Sequence, residues 1–255
     1  MTNRLLNAVA PIVLMLAMVG SSAVQAVEIK VLSGNGAKAA VTELGAQFER
    51  LSGHKVTIHF EVNPGVKKRI DEGEAFDVAV LNPPFLDEQI KNGKVVASTR
   101  TVLGRAGIGA ANRAGAPKLD ISTVEGFKNA LLTSKSVAYP GEGASGRYFV
   151  TVIERMGLTQ AMASKMRPMP AEYNVEVVAS GEVDMVVVVA SRINGVPGVQ
   201  SLGTIPAALQ TWIGFTAGLS AQAKEAAAAR ELLKFFTSPA AEKILRDKGV
   251  EPFVE

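Results

Sequence analysis

The sequence predicts an α/β protein built from two doubly wound units. Three observations predict it. Short apolar runs alternate along the chain with segments of helical periodicity, the order expected of a largely parallel sheet with helices on its faces. Residues 76–81 and 185–190 are apolar at nearly every position, as strands buried on both faces are. The strand ends run into short turns rich in Gly, Asn and Pro, where open α/β sheets hold their ligands.

The elements follow in order. Residues 1–26 read as a secretory signal: Arg4 supplies a short positive region, residues 5–19 are apolar apart from Asn7, and Val24 and Ala26 are the small residues before a cleavage point. The apolar run is shorter than the roughly 20 residues that a bilayer needs. Residues 28–33 form a strand that ends in Gly34-Asn35-Gly36. The following helix aligns Val41, Leu44, Phe48 and Leu51 on one face and stops at Ser52-Gly53-His54. Val56, Ile58, Phe60 and Val62 alternate with polar residues in a second strand. Asn63 is then a favoured N-cap and Pro64 a favoured first residue for a helix over 64–72. Residues 76–81 close a β-α-β-α-β unit and end in Asn82-Pro83-Pro84.

A second unit begins near Arg105. It contains a strand at 106–111, a helix at 122–132 carrying Val124, Phe127 and Leu131, and a strand at 135–139. The loop Gly141-Glu-Gly143-Ala-Ser145-Gly146 opens a helix over 147–156. A further helix is expected over 173–179 and a strand over 185–190. The chain then returns through a strand at 211–216 and helices at 221–236 and 239–248. The expected divisions are residues 1–26 as signal, 27–104 as the first part of one lobe, 105–189 as the second lobe and 190–255 as the return. Hinges are expected near Leu103-Gly104-Arg105 and Val189-Ala190-Ser191.

Composition narrows the function. There are no cysteines, so a lipid-anchored N-terminal Cys, a disulfide framework and a thiol nucleophile are excluded. After the signal, 26 basic residues stand against 24 acidic ones, and aromatic residues make up 5% of the chain, which argues against a nucleic-acid surface. His54 and His59 are the only histidines and form no metal-ligand spacing. The segment Gly141–Gly146 matches G-x-G-x-x-G, but the acidic residue that a dinucleotide site requires about 20 residues on is replaced by Met166 and Arg167. No cofactor is therefore expected. Two readings of the loop stay open: an anion site made by a helix N-terminus, or a turn needing positive φ at its glycines. Arg147, just beyond it, suits a bidentate pair with a carboxylate. Lys67-Lys68-Arg69 reads as a solvated basic face, with Lys67 a lesser candidate for the cleft.

Several segments carry a family likeness: residues 31–44 with Gln47-Phe48, residues 65–70, Phe76-Asp77-Val78, residues 137–140 with Ser145-Gly146-Arg147-Tyr148, Ser180-Gly-Glu-Val-Asp184, and residues 235–241 with Ile244-Leu245 and Gly249. In order and spacing they resemble, over nearly the whole mature chain, the periplasmic molybdate-binding proteins of ABC importers, members of the type II periplasmic binding proteins. The resemblance implies two hinge-linked α/β lobes that close on a ligand, a periplasmic location, a monomer, and an inner-membrane permease as partner. Family members that bind molybdate hold it with hydroxyls from the first two loops and a tyrosine at the second crossover. The corresponding positions here are Gly36, Asn63 and Val189, none with a hydroxyl. Ser33 and Ser145 offer partial replacement. The ligand stays open between a molybdate-like oxyanion and an organic di- or tricarboxylate; the second is preferred, held by Arg147, Asn35, Asn63, Asn82 and backbone N–H groups that include Gly143 and Gly146. Aconitate isomerase is similar to the same family, so an isomerase of an unsaturated tricarboxylate is the alternative, with Glu142 or His59 as the candidate base.

Overall fold

The computed structural model describes residues 25–170 and 175–252. Residues 1–24 of the expected signal lie outside the described residues, as does the start of the helix expected over 173–179. Among the described residues no helix is long and apolar enough to cross a membrane.

The chain opens with β1 (Glu28–Gly34), a 3-10 turn (Asn35–Ala37) and α1 (Lys38–Ser52). Next come β2 (Lys55–Glu61), α2 (Asn63–Asp71), β3 (Val78–Leu81) and α3 (Pro83–Lys91). The long strand β4 (Thr101–Arg113) leads to α4 (Val124–Thr133), β5 (Val137–Pro140), α5 (Ala144–Arg155), α6 (Thr159–Met162), β6 (Met166–Met169), α7 (Val177–Ser180) and β7 (Met185–Val189). A 3-10 turn (Ala190–Arg192), β8 (Val199–Thr204), β9 (Trp212–Leu219), α8 (Ala226–Phe235) and α9 (Pro239–Asp247) complete it.

The strands run in the order β2-β1-β3-β9-β4-β7-β5-β6, with β8 also paired to β4. β1 pairs in parallel with both β2 and β3, and β5 in parallel with both β6 and β7. The two parallel groups are joined through antiparallel strands. Thr101 to Gly107 of β4 pairs with β9, whereas Ile108 to Arg113 pairs with β7 and β8. One strand therefore belongs to both halves of the molecule, and this gives the two-lobed α/β architecture.

Burial explains the apolar runs. In β3, Val78 and Val80 face one core while Ala79 and Leu81 face another. In β7, Val186 and Val188 join the core shared with β1 and α1, while Met185 and Val187 pack with Phe127, Phe149 and Met162. A strand covered on both faces has no polar side left to show. α1 buries Val41, Leu44 and Phe48 as its periodicity requires, and ends at Gly53 with φ of 75°. Leu51, expected on the same face, is 65% exposed.

Several elements differ from expectation. β4 is longer than the strand expected at 106–111 because it spans both lobes. α3 forms although the Pro83-Pro84 pair reads as a loop: proline has no N–H to satisfy and is tolerated in a first helical turn. β6 and β8 are short strands that periodicity does not reveal. Asn63 is the first residue of α2 rather than its cap, and Val62 holds the cap position.

Candidate functional site

A cleft lies where the carboxyl ends of β1, β2, β3, β5 and β7 converge. Its empty volume, part of which opens to solvent, is about 570 Å³. Asn35 and Gly36 enter it after β1, Asn63 and Pro64 after β2, and Asn82 after β3. Gly143, Ser145 and Arg147 enter from the loop and first turn after β5, and Val189 from the end of β7. Eight of the ten residues singled out from sequence thus meet around one space. The other two lie behind it. Ser33 is fully buried, with its Oγ donating to the Gly34 carbonyl at 3.2 Å. Gly146 is packed against β5, where a Cβ would come within 1.7 Å of the Pro140 carbonyl oxygen.

That contact decides the role of the glycine loop. Gly141, Gly143 and Gly146 all have ordinary φ angles, so left-handed backbone is not what requires them. Gly146 is needed because α5 starts too close to β5 for any side chain. The close start aims the first turn of α5 at the cleft, where the N–H groups of Ala144, Ser145 and Gly146 have no partner within the helix.

The same arrangement recurs around the cleft. The 3-10 turn before α1, and α2, α3 and α5, all begin there, and none has a side-chain cap. Away from it, Thr123 caps α4 and Ser238 caps α9, each accepting a hydrogen bond from the first turn, while α6, α7 and α8 also lack a side-chain cap, so it is the convergence of the ends on one space that marks the cleft. At α3 the two leading prolines have no N–H, so that end contributes dipole but few donors. α2 and α5 contribute both.

The asparagines form a tie between loops. Asn63 Nδ2 donates to Asn82 Oδ1 at 2.7 Å, and the Asn82 backbone N–H donates to Asn63 Oδ1 at 2.8 Å. Asn82 Nδ2 donates to the Gly214 carbonyl on β9 at 2.7 Å. Each amide nitrogen keeps a second hydrogen that these bonds do not use. Gly34 gives this pair room: a Cβ there would lie 3.0 Å from Asn63 Nδ2.

Positive charge comes from Arg147, whose Nη1 also donates to the Glu142 carbonyl at 2.5 Å, and from Arg192, which is half-buried. Arg192 was not singled out from sequence. The signal that points to it is its place just past the carboxyl end of a buried strand, the position that marks the other cleft loops. Among the described residues that line the cleft, none is Asp, Glu, His, Lys or Tyr. The rest of the wall is carbon, from Val62, Phe85, Pro140, Val188, Val189 and Ile213. Gly36 offers no side chain, and a Cβ there would meet the buried Phe215 ring at 2.9 Å.

The remaining candidates turn away. Lys67 pairs with Asp71 at 2.5 Å and Glu88 at 3.2 Å. Arg69 pairs with Glu61 at 2.7 Å and Glu74 at 2.9 Å, and its hydrogen bond holds the Glu61 carboxyl below the ordinary value of 4.5. His59 sits beside Glu61 at 3.6 Å, outside the cleft wall. Glu142 meets Arg147 through its backbone carbonyl. Among the described residues no group of three or more His, Asp or Glu is placed to hold a metal ion.

Comparison with known proteins places this geometry. Residues 29–251 match the family model of the bacterial extracellular solute-binding proteins. An aconitate isomerase from a Pseudomonas species is 32% identical over 230 residues, covering 88% of this chain and 87% of that protein. The molybdate-binding protein ModA of Azotobacter vinelandii is 26% identical over 238 residues, covering 89% and 91%. Among solved structures, the A. vinelandii periplasmic molybdate-binding protein superposes with a TM-score of 0.74 at 18% identity, covering 89% of this chain and 100% of that one. The sulfate-binding protein SubI of Mycobacterium tuberculosis superposes with a TM-score of 0.68 at 16% identity, covering 89% and 87%. The last two likenesses speak for the fold.

Proposed function

Because the chain belongs to the bacterial extracellular solute-binding proteins, we propose that it is the periplasmic binding component of an ABC importer and captures a small organic anion between its lobes. The observation that carries this reading is the cleft wall itself. Arg147 and Arg192 stand beside uncapped helix N-termini, with no carboxylate among the described lining residues. Oriented N–H groups and the positive ends of helices stabilise anions. The carbon surfaces of Val188, Val189, Ile213 and Phe85 suit a carbon frame better than a compact tetrahedral oxyanion, which needs a donor at each corner. Gly36 and Val189 bring no side-chain donor.

Closure follows from differential affinity. A ligand touching loops of both lobes binds the closed form more tightly than the open one, and shifts the population by that difference alone. The flexing element is β4 with β9, the strands that carry the chain between lobes. Cleavage of the signal releases the mature protein into the periplasm, and the closed form docks on a permease.

A thermal-shift screen of the mature protein tests this. At a concentration 100 times Kd, a ligand binding only the folded state adds about 2.7 kcal/mol, which raises Tm by roughly 5–10 °C for a chain of this size. The expected result is a rise with trans-aconitate, citrate or succinate that Arg147→Gln abolishes. A rise with molybdate or tungstate alone sinks the organic-anion reading.

The 32% identity to an aconitate isomerase favours a second reading, isomerisation of an unsaturated tricarboxylate in the same cleft. Moving a proton between carbons needs a base within hydrogen-bond reach. The Ser145 hydroxyl is the proton-accepting side chain that the described wall supplies, apart from amides. Incubating cis-aconitate with the protein and following its vinyl proton by NMR separates carrier from enzyme. A carrier leaves the spectrum unchanged.

A further inference from the structure

The cations and the amides of the cleft come from different halves of the sheet. Arg147 follows β5 and Arg192 follows β7, and these strands are parallel neighbours. Asn35, Asn63 and Asn82 follow β1, β2 and β3 in the other half. Arg147 thus stands on the second lobe, the amides on the first, and Arg192 at the crossover beside the first cleft loop. The carbon wall closes the space around them.

We propose that Arg192 is the second anchor of the site and sets its selectivity for ligands with at least two carboxylates on a short carbon frame. One carboxylate sits on Arg147 and the first-turn N–H groups of α5, and a second sits on Arg192. This rests on the organic-anion reading above and deepens it.

Three features argue for the assignment. A guanidinium presents a planar fork that takes a carboxylate in two parallel hydrogen bonds, so two arginines in one wall suit two carboxylates. Arg192 is held in place by its surroundings: it ends the 3-10 turn Ala190–Arg192, and the neighbouring Ser191 Oγ donates to the Gly36 carbonyl at 2.7 Å. That bond ties the turn bearing Arg192 to the loop bearing Asn35 and Gly36, so the two move together. The two arginines also reach the space from different sides, Arg147 from the start of α5 and Arg192 from the turn tied to the first cleft loop, so a dianion held by both bridges the cleft.

The experiment is titration calorimetry on the mature protein with trans-aconitate, fumarate and crotonate, which carry three, two and one carboxylates. Wild type, Arg147→Gln, Arg192→Gln and Arg192→Lys are compared, with circular dichroism melts showing that each variant is folded. Arg192→Gln is expected to weaken trans-aconitate and fumarate roughly 10- to 100-fold, the usual cost of a charged hydrogen-bonded contact. Arg192→Lys recovers part of this, because it keeps the charge and loses the fork. Crotonate, if wild type binds it, is unaffected by Arg192→Gln and is weakened by Arg147→Gln. The proposal is overturned if Arg192→Gln binds trans-aconitate like wild type, or if it weakens crotonate as much as trans-aconitate. Should wild type bind none of the three, the organic-anion reading falls and takes the proposal with it. Should wild type bind trans-aconitate and Arg192→Gln leave that unchanged, the proposal falls alone.

Discussion

Replacing Asn82 by Ala tests the tie between the cleft loops. Asn82 is 8% exposed and its amide makes two bonds, accepting from Asn63 Nδ2 and donating to the Gly214 carbonyl, both at 2.7 Å. Alanine deletes both and keeps the backbone N–H that donates to Asn63 Oδ1. Each lost bond removes about 1 kcal/mol, and a partner left unsatisfied in a buried place raises the cost further, to about 3 kcal/mol in all. For a chain of this size that lowers Tm by roughly 6–12 °C. The assay is a calorimetric melt paired with urea unfolding, in which the midpoint falls and the slope stays constant, since the surface exposed on unfolding is the same. Asn82→Asp separates stability from binding. It keeps the acceptor for Asn63, sets an oxygen against the Gly214 carbonyl, and places a negative charge in an anion site, so ligand affinity falls further than in Asn82→Ala. If Asn82→Ala melts within about 2 °C of wild type, the two loops and β9 are not held together by this amide and the reasoning fails.

Other outcomes follow from the same geometry. Gly146→Ala puts a methyl 1.7 Å from the Pro140 carbonyl oxygen, so α5 must shift or the second lobe fails to fold; Gly73→Ala, at φ of 87° with open space around it, costs only about 1 kcal/mol of backbone strain. Gly36→Ser meets the Phe215 ring at 2.9 Å and lowers stability by about 1–3 kcal/mol, seen as a lower urea midpoint without any gain of molybdate affinity. The hydrogen bond from Arg69 lowers the Glu61 pKa, so this pair stabilises fully above 4.5 and loses its contribution as pH falls through the lowered value. Arg69→Gln therefore melts below wild type at neutral pH, and the gap narrows in acid; a gap that widens in acid contradicts the assignment. Trp212, the only tryptophan, is 44% exposed at the junction of the lobes, with the Arg105 guanidinium 4.2 Å from its ring. Its emission is expected to shift on titration with any ligand that raises Tm, and an unchanged spectrum argues against closure through β4 and β9.

Much of this was legible in the sequence because burial on both faces leaves a continuous apolar run. β3 and β7 read directly for that reason, and α1 read from Val41, Leu44 and Phe48. The cleft loops were legible because ligands in such sheets sit past the strand ends, a rule that located Asn35, Asn63, Asn82 and Arg147. What stayed hidden is non-local. Nothing in Asn63 or its neighbours says that its amide is spent on Asn82, 19 residues away, so the residue looked like a cap. Gly146 looked like part of a turn, and only the approach of α5 to Pro140 shows why it cannot carry a side chain. Ser33 has the right residue type beside the right loop, but it points into the core. Arg192 lies three residues past the end of β7, within reach of the strand-end rule, but nothing local shows that the turn Ala190–Arg192 brings it to the cleft wall. β8 was hidden because its pairing with β4 is made far along the chain.

The uncapped helix ends have a consequence for how such a cleft changes over time. A field made by main-chain N–H groups belongs to the fold and survives any side-chain replacement that leaves the helix starts in place. Attraction for anions in general is thereby separated from recognition of one anion in particular, which rests on a handful of side chains at the loop tips. A lineage built on this scaffold can exchange one cargo for another by altering those tips while the main-chain field stays in place.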